Sequence, residues 1–124
     1  MGKKKILIID DEIDFSNLVK KNIEKTGEFE VIIEASGEEG IKLTREKKPD
    51  LILLDVVMPE IDGGDVASQI KNDKSIKDIP IIFLTAIVTE EETGSQPSFT
   101  GGYPLLAKTV TLGELIACIK KNIK

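Results

Sequence analysis

Short runs of apolar residues alternate along the chain with stretches whose apolar residues recur every three or four positions. That alternation predicts strand–helix repeats built around a parallel sheet. The first run, Ile6-Leu7-Ile8-Ile9, is continuous rather than alternating, as expected of a strand covered on both faces. Asp10-Asp11-Glu12 ends it. Phe15, Leu18, Val19 and Ile23 then share one helical face, and Gly27 closes that helix. Phe29–Ala35 reads as a second strand. Ser36-Gly37-Glu38-Glu39 is a capping box for a helix that carries Ile41 and Leu43 and must stop before Pro49. A third strand, Leu51–Leu54, ends at Asp55. Beyond Met58-Pro59 and the turn Asp62-Gly63-Gly64, a third helix runs through Val66, Ala67 and Ile70. Pro80 precedes a fourth strand, Ile81–Leu84, which ends at Thr85. Leu105–Lys108 is a short fifth strand, and Thr111-Leu112-Gly113-Glu114 is a second capping box. The last helix carries the stripe Leu112, Leu115, Ile116, Ile119 and Ile123.

One segment breaks the rhythm. Thr89–Pro104 holds Gly94, Pro97, Gly101, Gly102 and Pro104 with few apolar residues, and no full amphipathic helix can be read there. The helix expected between the fourth and fifth strands is therefore short, remodelled or missing. No repeat or linker divides the chain, so residues 1–124 are expected to form one domain.

Composition narrows the chemistry. Apolar residues make up 40% of the chain, enough for a core without disulfides or a structural metal. The net charge of −5 argues against direct nucleic-acid binding, which rewards a basic surplus. The single cysteine, Cys118, allows no internal disulfide and is expected to be an inert, partly packed thiol. The chain contains no histidine, which removes Ser-His and Cys-His nucleophile pairs and histidine-containing zinc sites. Any phosphohistidine chemistry must draw its histidine from another protein. No apolar run approaches the length of a membrane span or a signal-peptide core, so a cytoplasmic protein with no membrane contact is expected.

In an open parallel sheet, ligands bind beyond the carboxyl ends of the strands. The chain puts polar residues at those ends: Asp10 and Asp11 after the first strand, Asp55 after the third, Thr85 after the fourth and Lys108 at the fifth. Taken singly, each is an ordinary loop residue; together they bring three carboxylates, a hydroxyl and an ammonium to one edge. Two carboxylates about 4 Å apart at an effective dielectric near 20 repel by roughly 4 kcal/mol. A hard divalent cation with oxygen ligands, Mg2+, would offset that repulsion, and Lys108 would add counter-charge. A carboxylate beside such an ion can attack a phosphoryl group, with Thr85 donating to one of its oxygens. The parts for forming an aspartyl phosphate are present; none for passing it to a further substrate is evident.

Four segments carry a family resemblance: Ile-Leu-Ile-Ile-Asp-Asp-Glu (6–12), Leu-Leu-Asp-Val-Val-Met-Pro-Glu-Ile-Asp-Gly (53–63), Ile-Phe-Leu-Thr-Ala (82–86) and Leu-Ala-Lys (106–108). In order and spacing the chain resembles the receiver domains of bacterial two-component response regulators, of the chemotaxis-regulator type. The resemblance implies a doubly wound α/β fold with a five-stranded parallel sheet in the flavodoxin-like order 2-1-3-4-5. It implies Asp55 as phosphoacceptor. Asp11, Asp55 and the Val57 carbonyl would ligate Mg2+ directly, and Asp10 through water. Lys108 would pair with the phosphoryl group, and Thr85 would be the switch hydroxyl. Pro59 and Gly63 would shape the loop after the third strand. The implied partner is a sensor histidine kinase or a histidine phosphotransfer protein, and the implied activity is not that of an enzyme but of a phosphoacceptor that assists its own phosphorylation and dephosphorylation.

Three departures stand out. Thr109 follows Lys108 where the family usually has proline after a cis peptide. A cis bond to a non-proline residue costs about 2.5–4 kcal/mol, so a trans bond is expected. Leu105 stands where the family often has a switching aromatic residue. The family's fourth helix is not legible in Thr89–Gly102. The Thr109 and Thr89–Gly102 departures motivate an alternative, a pseudo-receiver that binds proteins without being phosphorylated. A magnesium phosphatase is disfavoured, because Val57 stands where such an enzyme needs a second acid. Val57 and Ile87 are both apolar and are expected to flank the phosphoryl group, excluding water.

Overall fold

The computed structural model describes residues 2–86, 98–100 and 102–123. Its elements are β1 (Lys4–Ile9), α1 (Ile13–Glu24), β2 (Phe29–Glu34), α2 (Gly37–Lys47), β3 (Leu51–Leu54), α3 (Gly63–Lys71), β4 (Ile81–Thr85), β5 (Ser98–Thr100), β6 (Tyr103–Ala107) and α4 (Leu112–Asn122). The strands form one sheet in the order β2-β1-β3-β4-β6-β5. The first five are parallel and keep the expected order, β6 being the fifth strand of the sequence reading.

The continuous apolar runs are explained by two-sided burial. On one face Ile6, Ile8, Leu51, Leu53, Ile82 and Leu84 pack against Val19 and Ile23 of α1 and Leu115 and Ile119 of α4. On the other, Leu7, Ile9, Ile52, Leu54 and Phe83 pack against Ile41 of α2 and Val66, Ala67 and Ile70 of α3. Successive strand residues alternate between the two cores, so both must be apolar.

The helix ends follow the local chemistry. Ser36 and Thr111 each accept the amide N–H three residues on, the forward half of each expected capping box, while the Ser36 N–H is donated to Glu34 rather than Glu39. Asp62 does the same for α3 through the Asp65 N–H at 2.8 Å. Gly27 takes φ +79° in the turn after α1, a conformation that costs glycine little. α2 stops with Lys48 in the left-handed region, one residue before Pro49.

One boundary is corrected. The fifth parallel strand is Tyr103–Ala107 rather than Leu105–Lys108. Pro104 has no N–H for a ladder, but pairing with β4 begins only at Leu105, so Pro104 removes no bond from that side. The sheet also gains a sixth strand, β5, antiparallel to β6 at the edge. Only Ser98–Thr100 and Gly102–Pro104 of the rhythm-breaking segment are described, and the expectation of a short, remodelled or missing fourth helix falls outside the described residues, as does Ile87. Tyr103 meets the ring of Phe83 edge-on, with centroids 5.7 Å apart.

Candidate functional site

All three aspartates reach one point beyond the carboxyl ends of β1 and β3. Asp10 follows β1 and Asp55 follows β3, and the Asp55 N–H is donated to the Ile9 carbonyl at 2.9 Å. That bond extends the ladder by one step and fixes Asp55 beside Asp10. Both are buried, at 2% and 5% exposure, while Asp11 is exposed. Carboxylate oxygens of Asp10, Asp11 and Asp55 all lie within 4.8 Å of one another. An oxygen-only cluster of this size suits a hard divalent cation.

Lys108 supplies the positive charge. Its side chain is only 7% exposed, and its ammonium lies 2.8 Å from Asp10 Oδ2 and 3.6 Å from Asp55 Oδ2 and also contacts Glu12. The face of Phe15 lies 4.7 Å away. No cis peptide occurs among the described residues, so the Lys108–Thr109 bond is trans, as expected, and the lysine still reaches the cluster. Its own N–H is donated to the Thr85 carbonyl at 2.9 Å, which anchors its backbone to the end of β4. Asp10, Asp11, Asp55 and Lys108 thus lie together, and Thr85, buried at 1% exposure, joins them through its backbone carbonyl.

The cluster is electrostatically strained. Burial, above all, pushes the Asp55 carboxyl up from 3.8 to about 6; Asp10 and Asp11 add to this, while Lys108 and the Val57 N–H pull the other way. Burial works against the Lys108 charge too, but its hydrogen bonds to Asp10 and Glu12 and the charges of Asp10 and Asp55 outweigh it, leaving the ammonium harder to deprotonate than usual. Val57 is 55% exposed, an open position for an apolar side chain.

Sequence reasoning missed Glu12 and Phe15 at this site. Glu12 is the N-cap of α1 and Phe15 lies in its first turn, where the pattern gives them other roles: an acid at a helix start and a core-facing aromatic. Gly63 has a sharper reason than turn shape. A Cβ there would sit 2.2 Å from the Asp55 carbonyl oxygen and 2.9 Å from Val56 Cα, and the Gly63 N–H is donated to Val56 at 2.7 Å. Backbone atoms cannot swing aside as a side chain can. Gly63→Ala is therefore expected to push α3 off the loop after Asp55 and to lower stability by about 1–3 kcal/mol, measurable by urea denaturation; an unchanged midpoint would count against this contact.

The family model described as the response regulator receiver domain matches residues 6–120. The chain is 34% identical over 122 residues to the polar-differentiation response regulator DivK of Brucella ovis, covering 97% of this chain and 96% of that protein. It is 43% identical over 83 residues to the alkaline phosphatase synthesis transcriptional regulatory protein PhoP of Bacillus subtilis, and 34% identical over 120 residues to the DNA-binding dual master transcriptional regulator RpaA of Synechocystis. Those matches cover 67% and 97% of this chain but only 33% and 49% of the two regulators. Among solved structures, the N-terminal domain of a response regulator receiver protein from Methanoculleus marisnigri superposes with a TM-score of 0.72 at 29% identity, covering 97% of this chain and 96% of that one. The chemotaxis protein CheY4 of Vibrio cholerae shares the fold, with a TM-score of 0.82 at 23% identity, covering 98% of this chain and all of that one.

Proposed function

Because the chain belongs to the response regulator receiver family, we propose that residues 1–124 act as one receiver domain in which Asp55 accepts a phosphoryl group in a Mg2+-dependent reaction. What carries the reading is the juxtaposition of the Asp10, Asp11 and Asp55 oxygens within 4.8 Å and the Lys108 ammonium 3.6 Å from Asp55. An oxygen of Asp55 attacks phosphorus; the new P–O bond replaces the P–N bond of a phosphohistidine on a histidine kinase or phosphotransfer protein. The phosphohistidine lies outside residues 1–124, which contain no histidine.

Asp10, Asp11 and Asp55, with the Val57 carbonyl, would hold Mg2+, whose charge offsets that gathering on the transferring oxygens. Lys108 turns its ammonium to a phosphoryl oxygen, and the Thr85 hydroxyl donates to another. The anchoring of Lys108 to the Thr85 carbonyl links the two so that a shift in β4 is felt in β6. The setting we infer is cytoplasmic, without direct nucleic-acid contact by this domain; among the described residues no helix is long and apolar enough to cross a membrane.

Incubation with acetyl phosphate and Mg2+, followed by intact-mass measurement, tests this. The wild type is expected to gain one phosphoryl group, only with Mg2+, and Asp55→Asn none. A wild type that binds Mg2+ yet gains no adduct would instead mark the chain as a pseudo-receiver.

A further inference from the structure

Lys108 is held on the α1 side of the cleft. Its ammonium is 2.8 Å from Asp10, contacts Glu12 and lies 4.7 Å from the centre of the Phe15 ring, whereas Asp55 is at 3.6 Å, beyond good hydrogen-bond range. The two carboxylate partners differ. Asp10 is buried and tied down, since its Oδ1 also accepts the Glu12 N–H at 2.9 Å. The Glu12 side chain is 59% exposed and can leave for water at little cost.

Glu12 also forgoes a role its position offers. It is the N-cap of α1, yet its side chain makes no capping hydrogen bond. Its carbonyl accepts the Ser16 N–H at 3.0 Å, so the backbone stays fixed and only the side chain is free to swing. A phosphoryl group on Asp55 would compete with Glu12 for the position of the Lys108 ammonium.

We propose that Glu12 is a positioning residue that holds the Lys108 ammonium toward α1 in the resting protein and yields it to the incoming phosphoryl group, so that its contact sets how readily the site accepts that group. This rests on the phosphoacceptor reading above. Asp10 keeps its contact throughout; Phe15 guides the lysine stem; Glu12 is the partner that exchanges.

The test is a titration of the full chain with beryllium fluoride, a phosphoryl mimic, at saturating Mg2+, followed by fluorine NMR. Glu12→Gln should bind it about two- to fivefold more tightly than the wild type, the size of an exposed ion pair. Glu12→Asp keeps the charge but shortens the reach, and should show a similar gain. Asp14→Asn removes a neighbouring charge in the first turn of α1 and should stay near the wild type. In the metal-free protein, the nitrogen-15 signal of the Lys108 ammonium should exchange faster with water in both Glu12 variants. A gain in Glu12→Gln and Asp14→Asn but not in Glu12→Asp would reduce the effect to general charge and overturn the proposal. So would unchanged affinity and unchanged ammonium exchange in both Glu12 variants. A wild type that takes no beryllium fluoride would overturn the phosphoacceptor reading itself, an outcome distinct from binding that ignores Glu12.

Discussion

Lys108→Met is expected to destabilise the metal-free protein by about 3 kcal/mol at neutral pH, the scale on which removing one partner strands buried charge. The ammonium is flanked by Asp10, Asp55 and Glu12, and its side chain is 7% exposed. Methionine keeps an unbranched stem against Phe15 but leaves Asp10 and Asp55, both buried, facing each other without counter-charge. The loss is bounded, because Asp55 already holds its proton up to about pH 6 and would hold it further without the lysine. Urea denaturation in a chelator measures the effect. A loss below about 1 kcal/mol, the range of an exposed pair, would place the ammonium in water in solution rather than in the cluster. If the cluster holds Mg2+ as proposed, saturating Mg2+ should restore much of the lost stability.

The opposite sign is expected at Asp55. Its carboxyl is raised from 3.8 to about 6, chiefly by burial and then by Asp10, so the folded chain holds this proton more tightly than the unfolded one. The stabilisation from that proton is fully present below about pH 4. It is lost as pH rises through about 6, and at pH 7 the folded state bears the whole cost of the charge. A gap of about two pH units corresponds to at most about 3 kcal/mol. Asp55→Asn has the shape without the charge. It should be more stable than the wild type by about 1–3 kcal/mol at pH 7 in a chelator, and the advantage should shrink toward zero near pH 4. Denaturation midpoints across that range decide it: a gain that does not depend on pH would rule out the carboxylate as its source. Under the proposed reading, Mg2+ should narrow the gap by stabilising the wild type more than the variant.

Both predictions concern a site that is held together at a cost. Three carboxylates are kept together in a partly dry cleft, and the strain is relieved only by positive charge. That makes the fold responsive to whatever enters the cleft, and a phosphoryl group that redirects Lys108 would alter the same balance.

Much of this was legible in the chain. Because β-strands alternate their side chains and both faces are buried, runs such as Ile6–Ile9 and Leu51–Leu54 had to be continuously apolar, and their abrupt polar ends marked Asp10 and Asp55. Helix starts were legible because a cap is a local event: Ser36 and Thr111 bond to amides three residues away. The parallel order followed from the family resemblance, and the polar strand ends pointed to one edge. What the sequence left undecided depends on atoms far apart in the chain. Lys108 meets Glu12 across 96 positions, a contact that no helical or strand period encodes. Its reach past a trans bond to Thr109 depends on the hydrogen bond to the Thr85 carbonyl, and the fit of Gly63 depends on how closely α3 approaches the backbone after Asp55. The β5 edge strand was equally hidden, because Ser98–Thr100 carries too short a pattern to announce a strand before β6 is there to pair with it. Local periodicity and strand-end polarity determined which elements form and where the chemistry gathers; only the packed structure decided which partner each charge finds, because that is set by distances through space rather than along the chain.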